Sequence, residues 1–277
     1  VNSCNHYSTG NVRHLWFDLS KQDASQLPNN LSRLQSLFSL DREGKADSES
    51  LIAEVISRSK HLRVLDLGDW SFEHFPNNIC YLKQLRFSNL SSNGNIRRLP
   101  NFICNLQSLQ TLHLGGCWGI EELPKDIRYL ISLRELMVTT KQTRLQENGI
   151  SYLTSLRLLG FCSCENLEKL FEGIQNLTAL RILCIEDCKN LVSSPQDLTV
   201  LELELERKEG GSLRKLAIGG VPKLESLPQW ENWRISRLYQ LGSKISHPSK
   251  VFTLKIAQSC CFCPKGYNTH CTQKVND

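Results

Sequence analysis

No apolar run in this chain approaches the roughly 18 consecutive residues that a membrane-spanning helix needs, although 40% of its 277 residues are hydrophobic. No stable membrane insertion is therefore expected. The opening VNSCNHYSTG has neither a basic n-region nor an apolar h-region, so no secretory signal is read there. Its first residue is Val1 rather than Met, which points to a start upstream. Blocks of Lys and Arg interleaved with aromatics are missing, and the net charge of +5 permits acidic partners without calling for nucleic acid. There is no G-x-x-x-x-G-K-[ST] run, which removes a phosphate loop, and no nucleophile elbow or metalloprotease motif. Neither a catalytic set nor a cofactor is expected, and the chain is read as no enzyme.

Cysteine, in contrast, is abundant: there are twelve. They could serve disulfides, a metal, a nucleophile or an ordinary core, and internal periodicity decides among these. LRVLDLGDW from Leu62, LRFSNLSSN from Leu85, LQTLHLGGC from Leu109 and LRELMVTTK from Leu133 align with LRLLGFCSC from Leu156, LRILCIEDC from Leu180 and LRKLAIGGV from Leu213. The starts are 23, 24, 24, 23, 24 and 33 residues apart, and all but the last fall in the 20–29-residue period of leucine-rich repeats. A looser unit, VRHLWFDLS from Val12, comes first and is followed by LPNNLSRLQSL. In L-x-x-L-x-L alternate side chains share one face of a short strand. One unit cannot bury its leucines alone, so neighbours stack.

Behind the strands a second theme recurs in Leu27-Pro28, Phe75-Pro76, Leu99-Pro100, Leu123-Pro124, Ser194-Pro195 and Leu227-Pro228. Proline fixes φ where the chain turns to the convex side. The Ile and Leu of LPNFICNL and LPKDIRYL then turn inward from a short helical or 3₁₀ segment. The fold expected is an α/β solenoid, a horseshoe with a parallel concave sheet and short helical, 3₁₀ or irregular convex segments. About nine units are expected over residues 11–230, irregular at 41–60 and 202–212. Residues 1–10 form an irregular lead and 231–277 a degenerate or disordered tail. Ser88, where Leu is expected, and Ser194 mark weak units.

The joint pattern SLRxLxIxxCxxLxxLPxxIxxLxxL, across 108–133 and 155–201, resembles the leucine-rich-repeat region of plant nucleotide-binding disease resistance proteins of the coiled-coil class. The likeness spans roughly residues 11–230. It implies a non-enzymatic sensing module whose variable concave face binds a pathogen effector or a host guardee. It also implies packing against the receptor's nucleotide-binding domain, and cytoplasmic residence with nuclear or membrane-peripheral pools left open. A Ras-group-type leucine-rich-repeat signalling scaffold is the alternative, since it shares LPxxIxxLxxL. A receptor ectodomain would need a signal peptide and disulfide-capped ends.

Two surfaces are candidate partner sites. The concave face, read from the third, fifth, seventh and eighth positions of each unit, gives Asp66, Asp69, Phe87, Asn89, His113, Glu135, Met137, Glu186, Asp187 and Lys215. Its irregularity on a regular scaffold fits recognition, though drift on a solvated face gives the same pattern. The second position gives a basic column of Arg63, Arg86, Arg134, Arg157, Arg181 and Arg214, with Gln110 the exception. That column reads either as a solvated rim or as a strip that docks an acidic surface. In the tail, Cys260, Cys261, Cys263, His270 and Cys271 offer metal ligands in the irregular arrangement C-C-x-C-x₆-H-C, unlike the regular spacing of zinc sites, and no metal site is assigned. The sequons at Asn30, Asn89 and Asn176 are read as by-products of the repeat.

Three residues past the last strand leucine stand Asn93, Cys117, Cys164 and Cys188, with Trp70, Lys141 and Val221 filling the same place elsewhere. A small side chain here turns inward and bonds backbone groups of the turn. Cys164 and Cys188 are one unit apart, but parallel Cβ vectors at about 4.8 Å exceed the roughly 3.5–4.5 Å a disulfide prefers. Buried free thiols, which suit a reducing compartment, are the expectation; Cys80 and Cys104 repeat the case on the convex side.

Overall fold

The structure, a computed structural model, describes residues 12–17, 27–39, 48–70, 72–146, 149–171, 173–192, 215–219, 221 and 223. Nine strands lie side by side in chain order: β1 (His14–Phe17), β2 (Ser36–Ser39), β3 (Val64–Asp66), β4 (Phe87–Asn89), β5 (Thr111–Leu114), β6 (Glu135–Val138), β7 (Leu158–Cys162), β8 (Ile182–Glu186) and β9 (Lys215–Gly219). Every neighbouring pair is parallel. A parallel pair needs a crossover, and each unit supplies one by returning over the convex side. The expected solenoid is the observed one.

Register follows from one recurrent hydrogen-bond fork just before each strand. The Arg63 carbonyl accepts from Arg86 N at 2.8 Å and Phe87 N at 3.1 Å, and the Arg86 carbonyl accepts from Gln110 N and Thr111 N at 2.7 and 2.9 Å. Gln110, Arg134 and Arg157 repeat the fork toward the C-terminus, and Arg13 and Gln35 toward the N-terminus. It locks one unit to the next with no offset, so inward leucines stack on inward leucines. Leu37, Leu65, Leu112, Leu136, Leu159 and Leu183 form one such buried row. Each fully buried leucine contributes about 1.5–3 kcal/mol. Ser88 interrupts the row between Leu65 and Leu112; it is fully buried, and its hydroxyl has no hydrogen-bond partner among the described residues.

On the convex side, among the described residues, five units carry 3₁₀ turns, at Asn77–Tyr81, Asn101–Asn105, Ile127–Tyr129, Ile150–Tyr152 and Ile174–Asn176. A 23- or 24-residue period leaves room for one tight turn and not for an α-helix. Pro76 and Pro100, both at φ −60°, open the first two. Ile79, Ile103, Ile127, Ile150 and Ile174 point inward from them, as do Leu82, Leu106, Leu130, Leu153 and Leu177.

The stretch LPNNLSRLQSL, which follows the first unit, ends by opening a strand of its own, β2. Within the stretch 41–60, where the repeat is irregular, residues 48–58 form helix α1 (Ser48–Arg58), while 41–47 lie outside the described residues. Partners Ser36 and Val64 stand 28 residues apart, and the extra length accommodates eleven helical residues. Leu51, Ile52, Val55 and Ile56 place one face of α1 in the core, and Arg58 pairs with Glu54 one turn back at 3.1 Å. The Glu49 carboxylate accepts from Glu73 N and His74 N at 2.8 Å, which ties the helix to the next unit. Ser194 and the 202–212 break lie outside the described residues, as do the 1–10 lead and the 231–277 tail.

Removing the unpaired hydroxyl, Ser88→Ala, is expected to raise unfolding stability by about 1 kcal/mol. Urea denaturation measures it, and a loss of stability at an unchanged slope would contradict the reading.

Candidate interaction surface

The register turns the outward residues of the strands into two rows. Val64, Phe87, Thr111, Glu135, Leu158 and Ile182 are consecutive partners in one. In the other, Asp66, Asn89, His113, Met137, Gly160 and Cys184 follow each other. Asp66, Phe87, Asn89, His113 and Glu135 thus fall into one patch over β3–β6. Asn89 donates its amide to the Asp66 carboxylate at 2.8 Å and accepts from Ser91 N and Oγ at 3.0 and 2.7 Å. With that amide engaged, Asn89 is a poor glycosylation acceptor. His113 meets the Phe87 ring edge-to-face at 5.7 Å between centroids, and its Nε2 lies 3.9 Å from Glu135. Burial lowers the His113 pKa, and Glu135 and Asp66 oppose that shift. The patch therefore joins a π face, two carboxylates and an imidazole biased toward neutrality.

Other candidates stand apart. Met137 has only 7% of its surface exposed, because its sulfur lies across Gly160 where a Cβ would otherwise stand. Glu186 and Asp187 sit on β8 and its turn, separated from the patch by Gly160, Cys162 and Cys184, all buried. Asp69 and Asp187 have a conformational role as well: with Ser92, Gly116 and Ser163 they take left-handed φ of 51–77° at the same place in five units, Thr140 of the β6 unit being the exception. Short polar side chains and glycine tolerate that region best. Lys215 opens β9, and Arg214 lies outside the described residues.

The arginine column is exposed at Arg63, Arg86, Arg134, Arg157 and Arg181. Its backbone makes the registering forks, so the guanidinium bases recur at strand spacing, about 4.8 Å. Among the described residues no carboxylate lies within ion-pair distance of any of the five. Sequence reasoning missed that Arg13 heads the column, although VRHLWF carries the same pattern as LRVLDL. It also missed the aromatic end of the concave rows, where Trp16, 57% exposed, stacks on Phe38 at 5.2 Å.

Inside the sheet, the residue three past the strand leucine does what its size and polarity allow. Asn93 donates to the carbonyls of Leu67 and Leu90, both at 2.8 Å. The Cys117 thiol, fully buried, donates to the Leu90 carbonyl at 3.0 Å. Cys164 donates to Val138 O at 3.5 Å and Cys188 to Glu186 O at 3.5 Å. These four side chains bond the carbonyls where successive strands end. The unit with exposed Lys141 at this place solves the problem differently. Thr139 Oγ1 accepts from Gly116 N at 2.8 Å and donates to Cys162 O at 2.5 Å, and Thr140 Oγ1 reaches Ile120 O at 3.2 Å.

Residues 46–263 match the family model described as a leucine-rich repeat region. The chain belongs to the leucine-rich-repeat family. No curated protein matches. Among solved structures, the leucine-rich repeat domain of the type III effector XopL is 22% identical, with a TM-score of 0.58, over 78% of this chain and 71% of that one. A leucine-rich-repeat protein of Leptospira interrogans is 25% identical, with a TM-score of 0.48, over 72% of this chain and 52% of that one. The likeness to the XopL domain speaks to the fold, and domains of this kind are in general protein-interaction modules. Among the described residues of this leucine-rich-repeat protein, no group of His, Cys, Asp and Glu could hold a metal, and no helix is long and apolar enough to cross a membrane. The Cys-rich tail from Cys260 to Cys271 lies outside the described residues.

The seven described cysteines carry free thiols. Burial pushes Cys117 and Cys104 up to about 12, and for Cys104 the nearby Asp126 charge adds to it. The Cys164 thiol is raised by its hydrogen bond with Cys188 and then by burial. In the unfolded chain these thiols lose their protons near pH 8.5, whereas the native state retains them on Cys104 and Cys117 to about pH 12. The unfolded state then binds fewer protons, so stability falls as pH rises between about 9 and 12. Cys117→Ala is expected to flatten that fall, as read by urea midpoints at pH 8 and pH 10.5. Iodoacetamide at pH 8 is expected to spare Cys104 and Cys117 until urea is added; native labelling of either would contradict their burial.

Proposed function

We propose that this leucine-rich-repeat chain is the sensing module of a plant intracellular immune receptor of the coiled-coil nucleotide-binding class, active in the defense response without being an enzyme. Its concave patch of Asp66, Phe87, Asn89, His113 and Glu135 takes a pathogen effector or a host guardee. Its arginine column docks an acidic face of the receptor's own nucleotide-binding domain. One observation carries the reading: a regular scaffold presents side chains that change chemistry at every unit on one face, while the adjoining edge repeats a single charge.

Family resemblance supplies the identity of the receptor. Cys at the inward turn position, the LP turns and the NLxxL segments occur together in this chain as they do in that class. The cytoplasmic assignment follows from the same resemblance, and buried free thiols agree with it.

Charge reversal at Arg63, Arg86 and Arg134 together is expected to weaken binding to the nucleotide-binding domain supplied in trans by at least tenfold. The measurement is co-precipitation from low and physiological salt. Unchanged binding would remove the docking role. In the same assay, His113→Ala with Glu135→Ala is expected to leave domain docking intact, because those two side chains belong to the other surface.

A further inference from the structure

The edge of the solenoid that precedes the strands carries a charge pattern that register alone does not require. Six turns lead into β3–β8, over residues 59–63, 82–86, 105–110, 130–134, 153–157 and 176–181, and they contain no Asp or Glu. Their cations are not evenly spread. Lys60, Arg63, Lys83 and Arg86 all stand on the first two turns, with His61 among them, while the later turns supply one arginine each or none. Where this density peaks, the surface opens into a cleft of about 260 Å³ lined by Arg63, Gln84, Arg86 and Ser108.

Each of these four side chains can donate a hydrogen bond, and none is a carboxylate. The bases of the two arginines are held one unit apart by the fork in which Arg63 O accepts from Arg86 N. Gln84 is braced from behind, its Nε2 3.2 Å from His61 Nδ1. Neither guanidinium has a carboxylate partner among the described residues. We propose that this cleft is a binding site for a phosphate monoester.

Shape and charge select that ligand over other anions. The donors come from three successive turns about 4.8 Å apart, a span wider than the two oxygens of a planar carboxylate. A phosphate monoester presents three terminal oxygens and close to two negative charges, which two guanidinium forks match. The cleft exceeds one phosphate group and leaves room for the atoms that bear it. A nucleic-acid strand fits less well, because none of the four residues lining the cleft is aromatic and could stack on a base. The phosphate is borne by a phosphoserine or phosphothreonine of a protein partner. Arg63 and Arg86 also belong to the strip assigned above to domain docking, so a phosphorylated docking partner fits both readings, and the peptide test does not depend on the immune reading.

The test uses fluorescence anisotropy on the full chain with a labelled phosphoserine peptide of neutral flanks, its unphosphorylated twin and its glutamate twin, and tripolyphosphate as competitor. Arg63→Gln with Arg86→Gln is expected to weaken phosphopeptide binding at least tenfold. Arg157→Gln with Arg181→Gln, an equal charge loss on the same edge, is expected to change it less than twofold. Both pairs are exposed, so unaltered circular dichroism and melting accompany the result. Retention of the peptide against micromolar tripolyphosphate supports a phosphorylated partner; displacement at that concentration would mean a polyphosphate site and overturn the monoester. Equal losses in the two pairs, a glutamate peptide that binds as well as the phosphopeptide, a labelled oligothymidylate that binds more tightly than the phosphopeptide, or no phosphopeptide binding at low salt would each overturn the proposal.

Discussion

The forked carbonyl ahead of each strand is the constraint on which the rest of the molecule depends. One acceptor takes two N–H groups of the next unit, from Arg13 through Arg157, and so fixes each unit against the last without a residue of slip. A slip of one would carry every inward leucine to the outer face. With register fixed, the leucine rows close into one continuous core and the outward residues fall into straight rows. The arginine column is a by-product in position but not in composition, since nothing in the fork requires a charged side chain.

A second demand arises at the far end of each strand, where carbonyls are buried beside the core and must be bonded. The chain answers it with Asn93, with the thiols of Cys117, Cys164 and Cys188, and with Thr139 and Thr140 where a lysine occupies the usual place. These solutions differ in strength but share a size. That gives three of the seven described cysteines a structural role as turn partners. It also separates scaffold from recognition, because the side chains that satisfy the turn face inward and leave the concave rows free to vary.

Much of this was legible in the sequence, and the misses share a cause. The strand units, the LP turns and the inward Asn or Cys are properties of a unit by itself, so spacing alone revealed them. Burial of Met137 depends on Gly160 across the strand pair, and the hydrogen bonds of Thr139 depend on units to both sides. Helix α1 was hidden because a longer unit breaks the period by which the others were recognised. The cleft between Arg63 and Arg86 was visible only as two letters in a column, because Gln84 and Ser108 enter it from neighbouring turns.

The claim most exposed to test is that scaffold and recognition lie on different side chains of the same short strands. A substitution scan from Leu62 to Cys188, read as unfolding free energy for each variant, addresses it directly. Alanine at Leu65, Leu112, Leu136 or Leu159 is predicted to cost about 2–5 kcal/mol, while alanine at Phe87, Glu135 or Arg134 stays within about 0.5 kcal/mol. Comparable losses at the outward positions would mean that those residues hold the solenoid together, and the division between the two roles would fail.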